Sequence, residues 1–259
     1  MLGKSGVGAR PRRVLQGMAA VAAGVVGLVM LVQPASASIV GGVWSFSQGF
    51  GQTVPDLSGN GLNATLGSPA TPGSTSGPDL RAPTWIPGAF FGRAALHFNG
   101  SEYLTVPDSP SLDTAKVTVG AIVRAGSSPG DFRYVAAKGA FQCSAASYGL
   151  YTGGSGGLIF YVSSGPDSVT VSPDAGTGIW DGRWHIVVGT YDGSTVRLFV
   201  DGRQVGTGTP STITIGYGLP DGNQFAIGDY LGSCPTPPGF IGDMAGVAVL
   251  QTVTPSPFR

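Results

Sequence analysis

Three groups of residues in this sequence could do chemistry. The first is Gly153-Gly154-Ser155-Gly156-Gly157, a literal G-x-S-x-G, with Asp181 and His185 downstream in hydrolase order. A nucleophile elbow needs a strand before the serine and a helix after it. Here two β-type runs, Tyr148 to Thr152 and Leu158 to Val162, flank a loop that is nearly all glycine, so a hairpin turn is expected. The second group is the carboxylates. Most glycosidases need two of them astride the scissile bond. Glu102 is the only glutamate, and most of the thirteen aspartates stand in Asp-Gly, Pro-Asp or Asp-Ser pairs. Turn chemistry accounts for such positions. No enzymatic activity is expected.

The third group could bind rather than react. Sugar rings stack on Tyr and Trp because their apolar C–H faces meet a flat π surface while hydroxyls reach polar neighbours. Tyr148, Tyr151, Trp180, Tyr191 and Tyr230 are the chosen candidates, with Tyr161 and Tyr217 behind them, whereas Trp44 and Trp184 read as packing. In the loop Asp56-Leu57-Ser58-Gly59-Asn60-Gly61, Asp56 and Asn60 offer oxygen ligands of the kind calcium takes. An ordinary Asx-type turn explains the same loop. His97 and His185 lie in strand-like runs with no carboxylate or cysteine at ligand spacing, and read as sheet residues.

Elements that would hold these residues are short and β-like. Asp181-Gly182, Asp192-Gly193 and Asp201-Gly202 punctuate residues 181–209, leaving two runs rich in β-branched and aromatic residues. Asp-Gly suits tight hairpin turns. Val196, Leu198 and Val200 alternate with Thr195, Arg197 and Phe199, the period of a strand with one face on a core. Leu96 with Phe98, Leu104 with Val106, and Val117, Val119, Ala121 and Val123 repeat that pattern. Further strands are expected at residues 39–50, 134–138, 212–215, 224–228 and 240–250, with a surface loop over 67–84. Helical periodicity is absent, so the fold is all-β, a two-sheet antiparallel sandwich.

The first 37 residues are of another kind. Lys4, Arg10, Arg12 and Arg13 precede an apolar run from Met18 to Val32, and Pro34-Ala35-Ser36-Ala37 supplies small residues in an A-x-A arrangement. This is the pattern of a secretory signal peptide cut near Ala37. The run is short for a membrane span. Residues 38–259 then form one domain carrying ten basic and fourteen acidic side chains. Such a surface gives no electrostatic footprint for nucleic acid or anionic membrane. Cys143 and Cys234 are the only cysteines, and in an exported chain an even pair reads as one disulfide. No sorting motif or apolar tail follows Leu250, so a freely secreted product is expected.

Segments in this order resemble the LamG-like jelly roll of the concanavalin A-like lectin/glucanase superfamily. The carrying residues are Trp44-x-Phe46, the Asp56–Gly61 loop with Thr65-Leu66, and Ala95-Leu96-His97-Phe98-Asn99-Gly100. Trp184-His185, Tyr191-Asp192-Gly193, Leu198-Phe199-Val200-Asp201-Gly202 and Phe240-x-Gly242 complete the set. The resemblance implies a jelly-roll sandwich that often binds a structural calcium. Where relatives place an aspartate in the last strand this chain has Ala245, and Asp243, two residues earlier, is the candidate substitute. The Glu-x-Asp-x-x-Glu strand of the glucanase branch is missing, and Ile122 stands where many relatives carry Trp. What is implied is a secreted binding module for an extracellular polysaccharide or other glycan. A protein-adhesion module that meets a surface protein is the alternative, and a polysaccharide hydrolase comes third.

Overall fold

The computed structural model describes residues 41–67, 81–235 and 238–253. The signal peptide expected at residues 1–37 lies outside them, as does most of the loop expected at 67–84. Among the described residues no helix is long and apolar enough to cross a membrane. Among the described residues seventeen strands and two single-turn 3-10 helices make up the order. The first six strands are β1 (Gly41–Ser45), β2 (Thr53–Val54), β3 (Ala64–Leu66), β4 (Thr84–Phe90), β5 (Arg93–Asn99) and β6 (Leu104–Val106). After them come β7 (Val117–Arg124), β8 (Tyr134–Ala140), β9 (Tyr148–Thr152), β10 (Leu158–Gly165) and β11 (Ser168–Val171). The last six are β12 (His185–Tyr191), β13 (Thr195–Val200), β14 (Arg203–Gln204), β15 (Thr209–Pro210), β16 (Gly222–Ile227) and β17 (Ile241–Leu250).

They form two antiparallel sheets. One has nine strands, in the order β14-β13-β12-β7-β17-β5-β4, with β1 beside β17 and β15 beside β13. The other has eight, in the order β11-β10-β9-β8-β16-β6-β3-β2. Strand β17 is the spine of the larger sheet. It pairs with β7 along one side, and on the other with β5 through its first half and β1 through its second.

The expected alternation places the core between the sheets. Val117, Val119, Ala121 and Val123 of β7, Leu96 and Phe98 of β5, and Val196 and Leu198 of β13 all join one buried cluster. Facing them from the smaller sheet are Tyr148 and Leu150 of β9 and Leu158, Phe160 and Val162 of β10. Trp44 is buried, stacks on Phe225 at 5.5 Å and donates its Nε1–H to the Leu62 carbonyl at 2.7 Å. All three Asp-Gly pairs are tight turns, with φ of 83°, 88° and 76° at Gly182, Gly193 and Gly202. Those left-handed values are open to glycine at little cost.

Two expectations need correction. Thr212 to Ile215 is not a strand: Ile215 is buried in the core, but the backbone there joins no ladder. Conversely, β4 runs through a segment that holds Pro87 and Gly88. It manages this as an outer strand with its register broken between Ile86 and Phe90, the place in a sheet where proline is tolerated.

Candidate functional site

The outer face of the eight-stranded sheet gathers tyrosines. On β9 the core takes Tyr148, Leu150 and Thr152, leaving Gly149 and Tyr151 outside; on β10, Tyr161 points outward between Phe160 and Val162. Strand β8 has a register shift between Tyr134 and Ala136, so that Val135 and Ala136 both face the core. That bulge turns Tyr134 outward beside its cross-strand partner Tyr151. Tyr230 arrives from the loop after β16, which Cys234 ties to Cys143 in the loop after β8 by a disulfide.

Small residues make room for this pile. Ala137, Ala140 and Ala146 lie in the same cluster as the tyrosines. At Gly149 even a Cβ would come within 2.5 Å of the Tyr161 ring and 3.1 Å of the Tyr134 ring, so only glycine fits. The Tyr134 ring is sandwiched between Tyr151 and Tyr230, with centroids 4.9 Å away on both sides, and Tyr161 meets Tyr151 edge-on at 5.0 Å. Three of the hydroxyls are turned to internal duty. Tyr134 and Tyr161 share a hydrogen bond of 3.2 Å, Tyr161 also accepts from the Ala146 N–H, and Tyr230 donates to the Ala145 carbonyl at 2.8 Å. Tyr151 is half-buried, and its hydroxyl has no partner among the described residues.

These rings border a cavity of about 350 Å³ with the disulfide, Arg133, Ser144 and Phe132 on its wall. Burial raises the phenols of Tyr134, Tyr151, Tyr161 and Tyr230, so each stays neutral. Burial also pushes the Asp229 carboxyl, beside Tyr230, up to about 7 against the pull of the Tyr230 N–H, Arg133 and Arg81. Phe132 is exposed and held at a φ of 52°, a costly backbone for a bulky residue. Its ring lies over Gly154 of the glycine-rich hairpin. The result is a concave aromatic site with one spare hydroxyl, and with the charged side chains Asp131 and Arg133 at its wall. Such a surface can stack a neutral ring and hydrogen-bond its rim.

Of the five aromatics expected to bind, the structure brings Tyr151 and Tyr230 together here. Tyr148, Trp180 and Tyr191 are instead buried between the sheets. Tyr148 and Tyr151 are three apart on one strand, and an odd separation puts them on opposite faces. Tyr148 donates its hydroxyl to the Leu112 carbonyl, Tyr191 to the Ile213 carbonyl, and Trp180 its Nε1–H to the Gly156 carbonyl, so each polar tip is satisfied inside. Tyr134, Arg133 and Phe132 were missed. Val135 disguised Tyr134, because a bulge reverses the alternation that sequence reading relies on.

The expected metal residues do not assemble. Asp56 Oδ1 accepts from the N–H groups of Val43 and Ser58, and Oδ2 from Ser58 Oγ and the Leu62 N–H. Burial works to raise this carboxyl, but those donors outweigh it and hold it below its ordinary range. Asn60 Nδ2 donates to the Gly41 carbonyl. A carboxylate ringed by N–H groups is a turn organiser and does not fit calcium. Asp243 lies elsewhere. Val43 is level with Ala248 on β17, and five residues of strand, about 16 Å, separate that point from Asp243. Its oxygens bind His97 Nδ1 at 2.7 Å and Arg124 Nε and Nη2 at 2.9 and 2.6 Å, with the Arg124 guanidinium stacked 4.7 Å over Trp184.

Nor does the serine motif meet its partners. Gly153 and Gly157 close a hairpin turn at 2.7 Å, and Ser155 donates to Asp174. His185 is gripped by Asp201 at Nδ1, 2.8 Å, and by Asp181 at Nε2, 3.1 Å. Glu102 is buried and accepts the Asn99 N–H inside its own turn.

Residues 98–255 match the Laminin_G_3 family model, described as concanavalin A-like lectin/glucanases superfamily. No curated protein matches the chain. Among solved structures it is similar to domain 4 of AbnA, an extracellular arabinanase of Geobacillus stearothermophilus, solved with arabinotriose. There the TM-score is 0.56 and the identity 14%, over 81% of this chain and 90% of that one. A Trypanosoma rangeli sialidase gives a TM-score of 0.54 at 17% identity, over 86% of this chain and 32% of that one. Botulinum neurotoxin type C gives 0.50 at 9%, over 83% and 49%. The chain thus spans about the whole of the arabinanase domain and between a third and a half of the other two. At these identities the likeness is one of fold.

Proposed function

The chain belongs to the concanavalin A-like lectin/glucanases superfamily, and from that premise we propose that it is a secreted, non-catalytic module that binds extracellular carbohydrate in the tyrosine pocket. The observation that carries this reading is the aromatic-lined cavity of about 350 Å³ bordered by Tyr151 and Tyr230. Two further features support it. The arabinanase domain of the same fold was solved with a short sugar polymer. The single glutamate is buried in a turn, and the G-x-S-x-G serine has another partner than His185. The Cys143–Cys234 disulfide and the signal-like start support secretion.

The test is retention of residues 38–259 on a panel of soluble and insoluble polysaccharides. Tyr151→Ala is expected to lower retention at least about tenfold, the loss of roughly 1.4 kcal/mol of stacking. Its melting temperature should fall by about 2–4 °C per kcal/mol of lost stacking on Tyr134 and Tyr161, so retention is compared at temperatures where both proteins are folded. Equal retention by wild type and variant discards the pocket, and release of products from any polymer discards the non-catalytic reading. A protein partner is the second reading, favoured by exposed Phe132 and Val169 on the wall of the same cavity, with exposed Val171 on the same outer strand as Val169. Capture of a purified surface protein that Val169→Lys abolishes and added sugar leaves intact would replace the first reading.

A further inference from the structure

A second cavity lies on the other sheet. It opens on the outer face of the nine-stranded sheet, where β12, β13 and β14 run side by side near the sheet's edge. Its volume is about 670 Å³, and its walls include Lys116, Asp192, Arg197, Phe199, Gln204 and Gln251. Three neighbouring strands span about 10 Å, room for two sugar rings laid across them.

The hydrogen-bond inventory of this groove is lopsided. Asp192 is saturated: it accepts the Ser194 N–H, the Ser194 hydroxyl, the Thr195 N–H and one Arg197 nitrogen. Burial works to raise its carboxyl, and those donors hold it far below its ordinary range. Arg197 spends only Nη1 on that bond, and its Nε and Nη2 have no partner among the described residues. Lys116 is exposed, and its ammonium has no partner there either. Two cations therefore face the groove against one carboxylate that is already committed. Gln204 and Gln251 each donate Nε2 to a backbone carbonyl, at Gly206 and Ser111, which leaves both amide oxygens to accept. Phe199 adds a half-exposed apolar ring to the floor.

We propose that this groove is a second carbohydrate site, and that its ligand is a carboxylate-bearing sugar, a uronate within a short oligosaccharide. The carboxylate meets Lys116 and the free edge of Arg197. The hydroxyls donate to Gln204 and Gln251, and one pyranose face lies on Phe199. An inorganic anion would use the two cations and leave the amide oxygens and the ring idle. The site is separate from the tyrosine pocket, so the two readings stand or fall apart.

The test is calorimetric titration of residues 38–259 with an oligogalacturonate of five sugars at about 50 mM salt, where charge pairing is weakly screened. Lys116→Glu is expected to weaken binding at least about tenfold, with the fold intact because the residue is exposed. Gln204→Ala is expected to weaken it about threefold, the loss of one ordinary hydrogen bond. A neutral galactose oligomer of equal length should bind at least about tenfold more weakly than the uronate. Unchanged affinity in Lys116→Glu, or no binding by the wild type, overturns the proposal. Equal binding of polyphosphate overturns the uronate assignment. If Tyr151→Ala abolishes oligogalacturonate binding while Lys116→Glu keeps it, the uronate belongs to the tyrosine pocket and the inference fails.

Discussion

The two outer faces of this sandwich follow the same rule of alternation and end in opposite chemistry. On the eight-stranded sheet, outward positions carry stacked tyrosines, three of whose hydroxyls turn back to the protein, and burial keeps them neutral. On the nine-stranded sheet, outward positions carry Arg124, His97 and Asp243 in one network and the Arg197–Asp192 pair in another, with Lys116 nearby. The first face offers polarizable area and little charge. The second offers directional donors. A jelly roll is therefore a frame with two independent walls, and what each recognises depends on which side chains the period of two leaves outside.

The largest test of this contrast is covalent. Cys143→Ser with Cys234→Ser is expected to cost about 2–5 kcal/mol, since the bridge closes a loop of 91 residues. It should also loosen Tyr230 and so lower sugar retention, while oligogalacturonate binding on the far sheet persists below the new melting temperature. Gly149→Val comes next. A side chain there drives into Tyr161 and Tyr134, and overpacking of this kind costs about 1–3 kcal/mol. Thermal denaturation would show it, with retention lost at temperatures where the variant is still folded.

The pH response separates the faces more gently. Asp229 has a folded pKa, about 7, above its ordinary 3.8. The native state therefore holds the proton longer, and stability falls as pH rises from about 4 to 7. His185, at the start of β12, also has a raised pKa: burial works to lower it, and its bonds to Asp201 and Asp181 outweigh that. Its contribution is full below 6.5 and is lost as pH climbs through the folded value. Melting temperatures measured from pH 4 to 9 should thus decline in two windows. Asp229→Asn should flatten the lower one and His185→Gln the upper. The smallest effect is expected from Asp243→Asn, a partly exposed ion pair worth about 1 kcal/mol or less. A larger loss would mean that the Arg124–Trp184 stack depends on that carboxylate.

Much of the frame was legible because burial and alternation coincide. Val117 to Val123 and Leu96 with Phe98 point inward as their spacing requires. The tyrosine site was only half legible. Tyr151 follows from strict alternation, but Tyr148, also a candidate, stands three positions away, which period-2 counting puts on the other face. Tyr134 could not be read at all without the bulge at Val135, since a bulge is a pairing event between strands and leaves no local mark. Asp56 and Asp243 failed as a pair for a similar reason. Each is turn- or strand-like in its own segment, and only the β1–β17 register shows how far apart they lie. The chemistry of Lys116 and Arg197 was hidden because their surplus of donors depends on what Asp192 has already accepted.

Strand β17 has a consequence for how the protein is made. It stands in the middle of the larger sheet, yet it is the last strand described, and its partners β1, β5 and β7 all precede it by long stretches of chain. A polypeptide emerging N-terminus first cannot complete this sheet until residue 250 has appeared, and distant antiparallel pairings form slowly even then. Until then the larger sheet is two separate pieces, β14-β13-β12-β7 and β5-β4, that only β17 joins. In the exported chain proposed above, a central strand delivered last would hold completion of the larger sheet back until residue 250 has emerged.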